Sequence, residues 1–175
     1  MPIKIALLDS EIAVTHPALK DLSVRQFVCS DTGWTEQPYE PKQGHGTGIA
    51  SILVKNAENF DIDSFVLLEE KPTVSPERCI SILEKIANSA ESYDILHMSL
   101  GVRQYHKKME KLCAVLREKG TAIVSAFDNA GAVSFPAAFS TVIGVDASFR
   151  CLKNDDFVYV SAQGLAALTV IMFTP

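Results

Sequence analysis

The chain has 175 residues, of which 47% are hydrophobic, and a formal net charge of −5 at pH 7. This length and composition predict one globular domain with a continuous core. The acidic balance, without any block of lysine or arginine, argues against nucleic acid and anionic membrane as partners. The four cysteines are far apart and show no metal-ligand spacing, so we expect neither a metal site nor a disulfide framework.

The first half of the chain is predicted to begin with a buried strand at 3–8, because this run has too few polar residues to face water on one side. Thr15 is a candidate N-cap for a short helical turn. The remaining elements of this half are predicted as strands at 23–29 and 62–68, a polar loop at 30–43 and a helix at 45–56. That helix is expected to bury Ile49, Ile52 and Leu53.

The second half is predicted to alternate helices and strands. Ser75, followed by a proline and a glutamate, is typical of a helix start. The predicted elements are a helix from 75 to about 91, a strand at 94–98, a helix at 105–119, and strands at 121–126, 141–145 and, last, 157–161. The second of these helices is expected to turn Met109, Leu112, Val115 and Leu116 inward. The apolar run 165–173 is far shorter than the roughly 20 residues that span a bilayer, and we interpret it as buried structure.

This alternation predicts an α/β fold: an open, mostly parallel, doubly wound sheet with helices on both faces, in three layers. Ligands bind such sheets beyond the carboxyl ends of the strands. Asp9, Ser99 with Gly101, and Asn129 fall at that edge on three predicted strands. His45, which lies between two glycines, opens a helix near the same edge. On its own, such a histidine could simply cap the helix or pack against it. Beside the other polar residues of this edge, a side chain with an unperturbed pKa near ~6.5 suits a general acid or base.

The motifs at this edge resemble those of the subtilisin-like serine proteases, the subtilases. Residues 5–10 with 16–19 resemble the aspartate motif and its following His-Pro, and 44–50 resemble the histidine motif. The other matching segments are 94–101 at the end of the substrate-binding strand, 123–131 around the oxyanion asparagine, and the proline segment at 135–139 with 142–145. The likeness extends from about residue 3 to 164 and so covers nearly the whole chain.

The resemblance implies peptide-bond hydrolysis by an Asp-His-Ser triad. We expect no cofactor and no metal, since neither a metal-ligand pattern nor a calcium loop is recognisable in the sequence. Asp9 would orient His45 and stabilise its imidazolium, and His45 would be the general base and then the general acid. The side-chain amide of Asn129 would donate to the oxyanion. An extended peptide or protein substrate would pair with backbone groups of Ser99, Leu100 and Gly101.

These residues also have alternative structural roles. Asp9 could cap a turn at a strand end, and Asn129 could supply a left-handed turn beside Gly131. His97, where relatives often have asparagine, is interpreted as a packed or hydrogen-bonded residue rather than a fourth catalytic group.

The chain departs from the family pattern at the nucleophile. The serine of subtilases lies in a Gly-Thr-Ser motif beyond the proline segment, and that motif does not occur in this sequence. The resemblance ends near Gln163, where relatives usually have proline, and Ser161 is interpreted as a strand-end residue. We therefore expect a single subtilase-like catalytic domain over 1–175 that lacks its C-terminal serine segment, is incomplete at that end, and is inactive alone.

Three hypotheses for the function follow. The first is a cytoplasmic subtilisin-like serine endopeptidase domain that has lost its serine segment, with no recognisable signal peptide or pro-segment. The second is a non-catalytic subtilase-like module that binds a peptide or protein. Glu11 beside the aspartate motif and Asp128 beside Asn129, two departures from the usual glycines, favour this second hypothesis. The third is an unrelated flavodoxin-like binder of small molecules, although no glycine-rich phosphate loop follows Leu8.

The missing serine segment also has a consequence for partners. Removal of a strand and a helix from the C-terminal edge of the sheet would leave apolar surface uncovered. We therefore expect self-association, or a partner that covers this edge.

Overall fold

A computed structural model of the protein describes residues 1–30, 33–36, 44–68, 75–128, 132–146, 157–161 and 168–172. For 29, 30, 68 and the last two ranges it describes only the backbone. The strands are β1 (Ile3–Ser10), β2 (Val24–Ser30), β3 (Gly33–Glu36), β4 (Phe60–Leu68), β5 (Ile95–Met98), β6 (Ala122–Ala126), β7 (Ile143–Asp146), β8 (Phe157–Ser161) and β9 (Leu168–Met172). The helices are α1 (His45–Asn56), α2 (Pro76–Asn88) and α3 (Lys107–Glu118), with a 3₁₀ turn at Pro17–Leu19.

Within the described residues, the nine strands form one sheet in the order β3-β2-β4-β1-β5-β6-β7-β9-β8. The seven strands from β2 to β9 in this order are mutually parallel, and β3 and β8 lie antiparallel at the two edges. Parallel neighbours need long crossover connections, which α1, α2 and α3 supply. The predicted open, mostly parallel α/β sheet is confirmed.

The helices cover both faces of this sheet and define two cores. Because successive strand residues point to opposite faces, Leu7 and Leu8 of β1 belong to different cores. The core under α2 and α3 includes Leu8, Ile82, Leu83, Leu96, Met109 and Leu116. The core under α1 and the 3₁₀ turn includes Leu7, Ile12, Leu19, Ala50 and Ile62. No helix in the described part of the chain is both long and apolar enough to span a membrane.

Three local predictions were wrong. The strand at 157–161 is not the last, since β9 follows it and inserts between β7 and β8. The predicted loop after β2 contains the short edge strand β3. The cap of the 3₁₀ turn is His16 rather than Thr15, because the imidazole Nδ1 of His16 accepts a hydrogen bond from the backbone of Ala18 at 3.2 Å.

The helix predictions were right in position and partly wrong in the buried residues. Ser75 caps α2 as expected, and its hydroxyl accepts from the backbone of Arg78 at 3.2 Å. Ile52 of α1 is 51% exposed and Val115 of α3 is 40% exposed, although both were expected to be buried. The buried residues of α1 are instead Gly46, Thr47 and Ala50. Their small side chains show that α1 lies close against the sheet.

An ion-pair network ties the strands together at the edge opposite their carboxyl ends. Arg25 donates to Asp63 at 2.8 Å and to Glu91 at 2.6 Å, and the Tyr93 hydroxyl donates to Asp63 at 2.7 Å. Hydrogen bonds from Arg25 hold the pKa of Glu91 below its ordinary value, and burial raises the pKa of Tyr93. The network therefore links β2, β4 and the segment that enters β5.

Replacement of Glu91 by Gln tests the contribution of this network. We expect the free energy of unfolding at neutral pH to fall by about 0.5–1 kcal/mol, since Glu91 is partly exposed to solvent. A carboxylate whose folded pKa is lowered stabilises the fold above its unfolded pKa, and that contribution is lost as the pH falls through the folded pKa. The difference between wild type and Glu91→Gln should therefore disappear on acidification, as measured by urea unfolding at a series of pH values. Glu84→Gln, which removes the exposed pair with Lys108, is the matched control; a Glu91→Gln deficit that persists unchanged in acid would contradict the linkage.

Candidate active site

A buried carboxylate and a half-exposed imidazole meet at the carboxyl end of β1. Asp9 is fully buried, and its Oδ1 lies 2.7 Å from Nδ1 of His45, whose side chain is 53% exposed. The same Oδ1 accepts from the backbone N–H of Ser10 at 2.7 Å. Because a carboxylate can only accept, Nδ1 of His45 carries the proton and Nε2 is left with a free lone pair. The arrangement gives His45 the tautomer that a general base requires.

The start of α1 is fixed against the end of β1 by short contacts. The backbone N–H of Gly46 donates to the Ser10 hydroxyl at 2.9 Å, and Thr47 Oγ1 accepts from the backbone of Ala13 at 2.9 Å. A Cβ on Gly46 would clash with the carbonyl oxygen of Ser10. Glycine is therefore needed at 46 for the helix to approach closely enough to bring His45 to Asp9.

The predicted substrate-binding residues follow the end of β5. The side chain of Leu100 is buried in the core, and its carbonyl accepts from the Ser125 hydroxyl at 3.1 Å. A Cβ on Gly101 would lie 2.6 Å from Oγ of Ser134. The segment from Ser99 to Gly101 is thus held in place by contacts from β6 and from the segment before β7.

A short antiparallel bridge extends this segment. Val102 and Phe135 exchange two backbone hydrogen bonds, each of 2.8 Å. Next to the bridge, Arg103 Nε donates to Asp128 Oδ2 at 2.8 Å, and the backbone of Asp128 donates to the Ser134 hydroxyl at 3.0 Å. Arg103 therefore offsets the negative charge of Asp128, which is the neighbour in sequence of the predicted oxyanion residue. The sequence analysis missed this role because the two residues are 25 positions apart.

Asn129, the predicted oxyanion donor, lies outside the described residues. The structure brings together Asp9 and His45 at the same sheet edge as Ser99 and Gly101. It also shows that Ser10 and Thr47 fix the start of α1, a role that the sequence analysis did not assign. Ser10 directly follows Asp9 and Thr47 directly follows His45-Gly46 in the sequence, and these positions could have indicated the role.

His97 lies on β5 beside the same site. It is partly buried, and its Nδ1 lies 3.5 Å from the hydroxyl of Ser99. Burial lowers the pKa of His97; the negative charge of Asp9 acts in the opposite direction, and the charge of His45 lowers it further. The expectation of a packed or hydrogen-bonded residue fits this environment.

Comparisons with known proteins identify relatives of this chain. The model of the subtilase family matches residues 2–167. The minor extracellular protease Epr of Bacillus subtilis (strain 168) is 31% identical over 165 residues, which are 83% of this chain and 23% of that protein. The major intracellular serine protease of the same organism is 27% identical over 169 residues, which are 82% of this chain and 50% of that protein.

The fold comparison gives a similar picture. The solved structure of the S41 psychrophilic protease superposes with a TM-score of 0.72 at 20% sequence identity, covering 99% of this chain and 58% of that one. The chain thus spans half or less of the length of the two curated relatives that it matches.

The close contact at Gly46 can be tested with a pair of glycine substitutions in α1. We expect Gly46→Ala to destabilise the protein by roughly 1–3 kcal/mol, because the added methyl forces α1 away from β1. Gly48, in the same turn, has open space around its Cβ position. Gly48→Ala should therefore be neutral or stabilise by up to about 1 kcal/mol through helix propensity. Urea unfolding of the two variants measures both effects, and equal stabilities would show that the contact with Ser10 places no demand on residue 46.

Proposed function

Because the chain belongs to the subtilase family, we propose that it supplies the Asp and His of an Asp-His-Ser triad in a serine endopeptidase, with the serine outside this chain. The observation that carries this proposal is the 2.7 Å contact between the buried Asp9 carboxylate and the half-exposed His45. Family membership is incompatible with an unrelated flavodoxin-like binder. One of the two Bacillus relatives is an extracellular protease and the other an intracellular one, so the cytoplasmic location stays a prediction.

The proposed chemistry uses His45 twice. Its Nε2 takes the proton of the serine hydroxyl as that oxygen attacks the scissile carbonyl, and then gives the proton to the leaving amine. Asp9 stabilises the imidazolium that forms between these steps, and its burial keeps the attraction strong. Asn129 would donate its amide N–H to the oxyanion. Arg103 supports this role because it offsets the charge of the neighbouring Asp128.

The proposed substrate is an extended peptide. It would add to the sheet beside Ser99 and Gly101, with the main chain giving affinity and side-chain pockets giving specificity. Leu100 supports this arrangement because its buried side chain and hydrogen-bonded carbonyl keep the segment rigid. We keep a non-catalytic peptide-binding module as the second candidate, because the sequence contains no Gly-Thr-Ser motif; it would use the same groove.

One face of β5 and β6 is only partly covered, as expected for a domain in which a further segment packs against the sheet. On β5 and β6, Leu96 and Ile123 are buried under α2 and α3. On the opposite face, His97, Val124 and Ala126 are only partly buried by the described residues. We propose that the segment carrying the nucleophile covers this face, and that copies of the chain associate through it when that segment is absent.

Proteolysis assays test the catalytic proposal. We expect the purified 175-residue chain not to hydrolyse casein or unstructured peptides, because it contributes two of the three triad groups. If the reading frame, or a shifted one, continues into Gly-Thr-Ser and a small apolar helix, a chain extended through that segment should hydrolyse them, and His45→Ala should abolish the activity. Hydrolysis by the 175-residue chain that is lost in its His45→Ala variant would overturn the proposal. Peptide binding that His45→Ala leaves intact, with no serine segment in any frame, would favour the non-catalytic module.

Sedimentation velocity tests the uncovered face. We expect the 175-residue chain to associate with itself and Val124→Thr to weaken the association, because the hydroxyl makes this apolar face more polar at nearly constant volume. Val115 on α3 is also exposed but lies on the opposite side of the sheet. Val115→Thr is therefore the matched control and should leave association unchanged. A chain that stays monomeric, or a Val115→Thr variant that behaves like Val124→Thr, would count against the proposal.

A further inference from the structure

The site contains a second imidazole on the same face of the sheet as Asp9. His97 of β5 pairs in register with Leu7 of β1. Because side chains alternate along a strand, His97 faces the side on which Leu7 and Asp9 lie, and α1 places His45 on that side. One buried carboxylate therefore faces two imidazoles.

The surroundings of His97 differ from those of His45. Its Nδ1 lies 3.5 Å from the hydroxyl of Ser99, just beyond the end of β5, and its partner on β6 is the apolar Val124. The charged groups that act on it are Asp9 from β1 and His45 from α1. His97 thus lies near a hydroxyl, an apolar strand and the Asp9 and His45 pair, on a face that the described residues cover only in part.

The Asp9 carboxylate can stabilise only one of the two imidazoliums well. Oδ1 of Asp9 is in direct contact with the ring of His45, so this carboxylate oxygen is already engaged. Burial opposes a charge on His97, and a positive charge on His45 opposes it further. A neutral His97 with its proton on Nε2 leaves Nδ1 as an acceptor for the O–H of Ser99.

We propose that His97 is a positioning residue of this site: a neutral imidazole that holds the Ser99 hydroxyl and leaves the Asp9 carboxylate to His45. Protonation of His97 would reverse the contact, because Nδ1 becomes a donor, and would place a second positive charge near His45. Its importance for catalysis rests on the proposed function, whereas the charge state and the contact belong to this chain as it stands.

The test is an NMR titration of the 175-residue chain with ¹⁵N-labelled histidine, at a concentration at which sedimentation shows the chain to be monomeric. We expect the ring of His97 to gain its proton below the ordinary range near ~6.5. His45→Gln removes a competing positive charge and should raise the pKa of His97 by roughly 0.5–1 unit, whereas Asp9→Asn should lower it. Ser99→Ala should change the tautomer populations of His97, seen in its ¹⁵N shifts. His16, which caps the 3₁₀ turn, is the internal control ring in the same spectra.

Two results would overturn the proposal. One is a His97 ring that titrates in the ordinary range and does not respond to His45→Gln. The other is a tautomer population that Ser99→Ala leaves unchanged. Because no result depends on hydrolysis, an extended chain that fails to cleave peptides while these couplings hold would count against the proposed function alone.

Discussion

The burial of the Asp9 carboxylate is the constraint on which the rest of the site depends. Burial of a carboxylate away from solvent costs roughly several kcal/mol unless hydrogen-bond donors replace the lost water. At Asp9 the donors are the backbone of Ser10 and the ring of His45, both at 2.7 Å. The ring can reach the carboxylate only if α1 begins in contact with β1, and this requires a residue without a side chain at Gly46. The geometry of the histidine motif is therefore a packing requirement as much as a chemical one.

The close approach of α1 also explains where the sequence analysis failed. The alternation of apolar segments predicted most of the strands, all three helices and the parallel sheet, because these depend on local patterns. The expectation that α1 buries its largest residues was wrong for Ile52, which is exposed. The buried side chains of this helix are the small Thr47 and Ala50, and Ile49 and Leu53 pack against the core only in part. In α3 the buried stripe is Met109, Cys113 and Leu116, so Val115 falls off it. The strand β9 could not be assigned because its pairing with β7 is a long-range contact that the local sequence does not encode.

The same division holds for the site. Asp9 and His45 could be predicted because each lies in a motif with a physical reason for its glycines and its place at the strand end. The pairing of Arg103 with Asp128 could not, since it depends on two loops that meet only in the folded protein. This pairing matters because the sequence analysis took Asp128 as an argument against catalysis. An arginine in contact with the carboxylate of Asp128 weakens that argument. The oxyanion role of Asn129 remains a prediction of the sequence.

The buried carboxylates of Asp63 and Asp9, at opposite edges of the sheet, show how hydrogen-bond partners determine the role of an aspartate. Asp63 accepts two hydrogen bonds from Arg25 and one from Tyr93, so both of its oxygens are satisfied and its charge is neutralised. Asp9 has no arginine, and its Oδ2 has no hydrogen-bond partner among the described residues. The arrangement at Asp63 is a fixed, fully hydrogen-bonded ion pair, which suits a structural role. The arrangement at Asp9 places an unneutralised carboxylate against the ring of His45, so an imidazolium formed there is stabilised, which is the electrostatic condition that a general base at His45 requires.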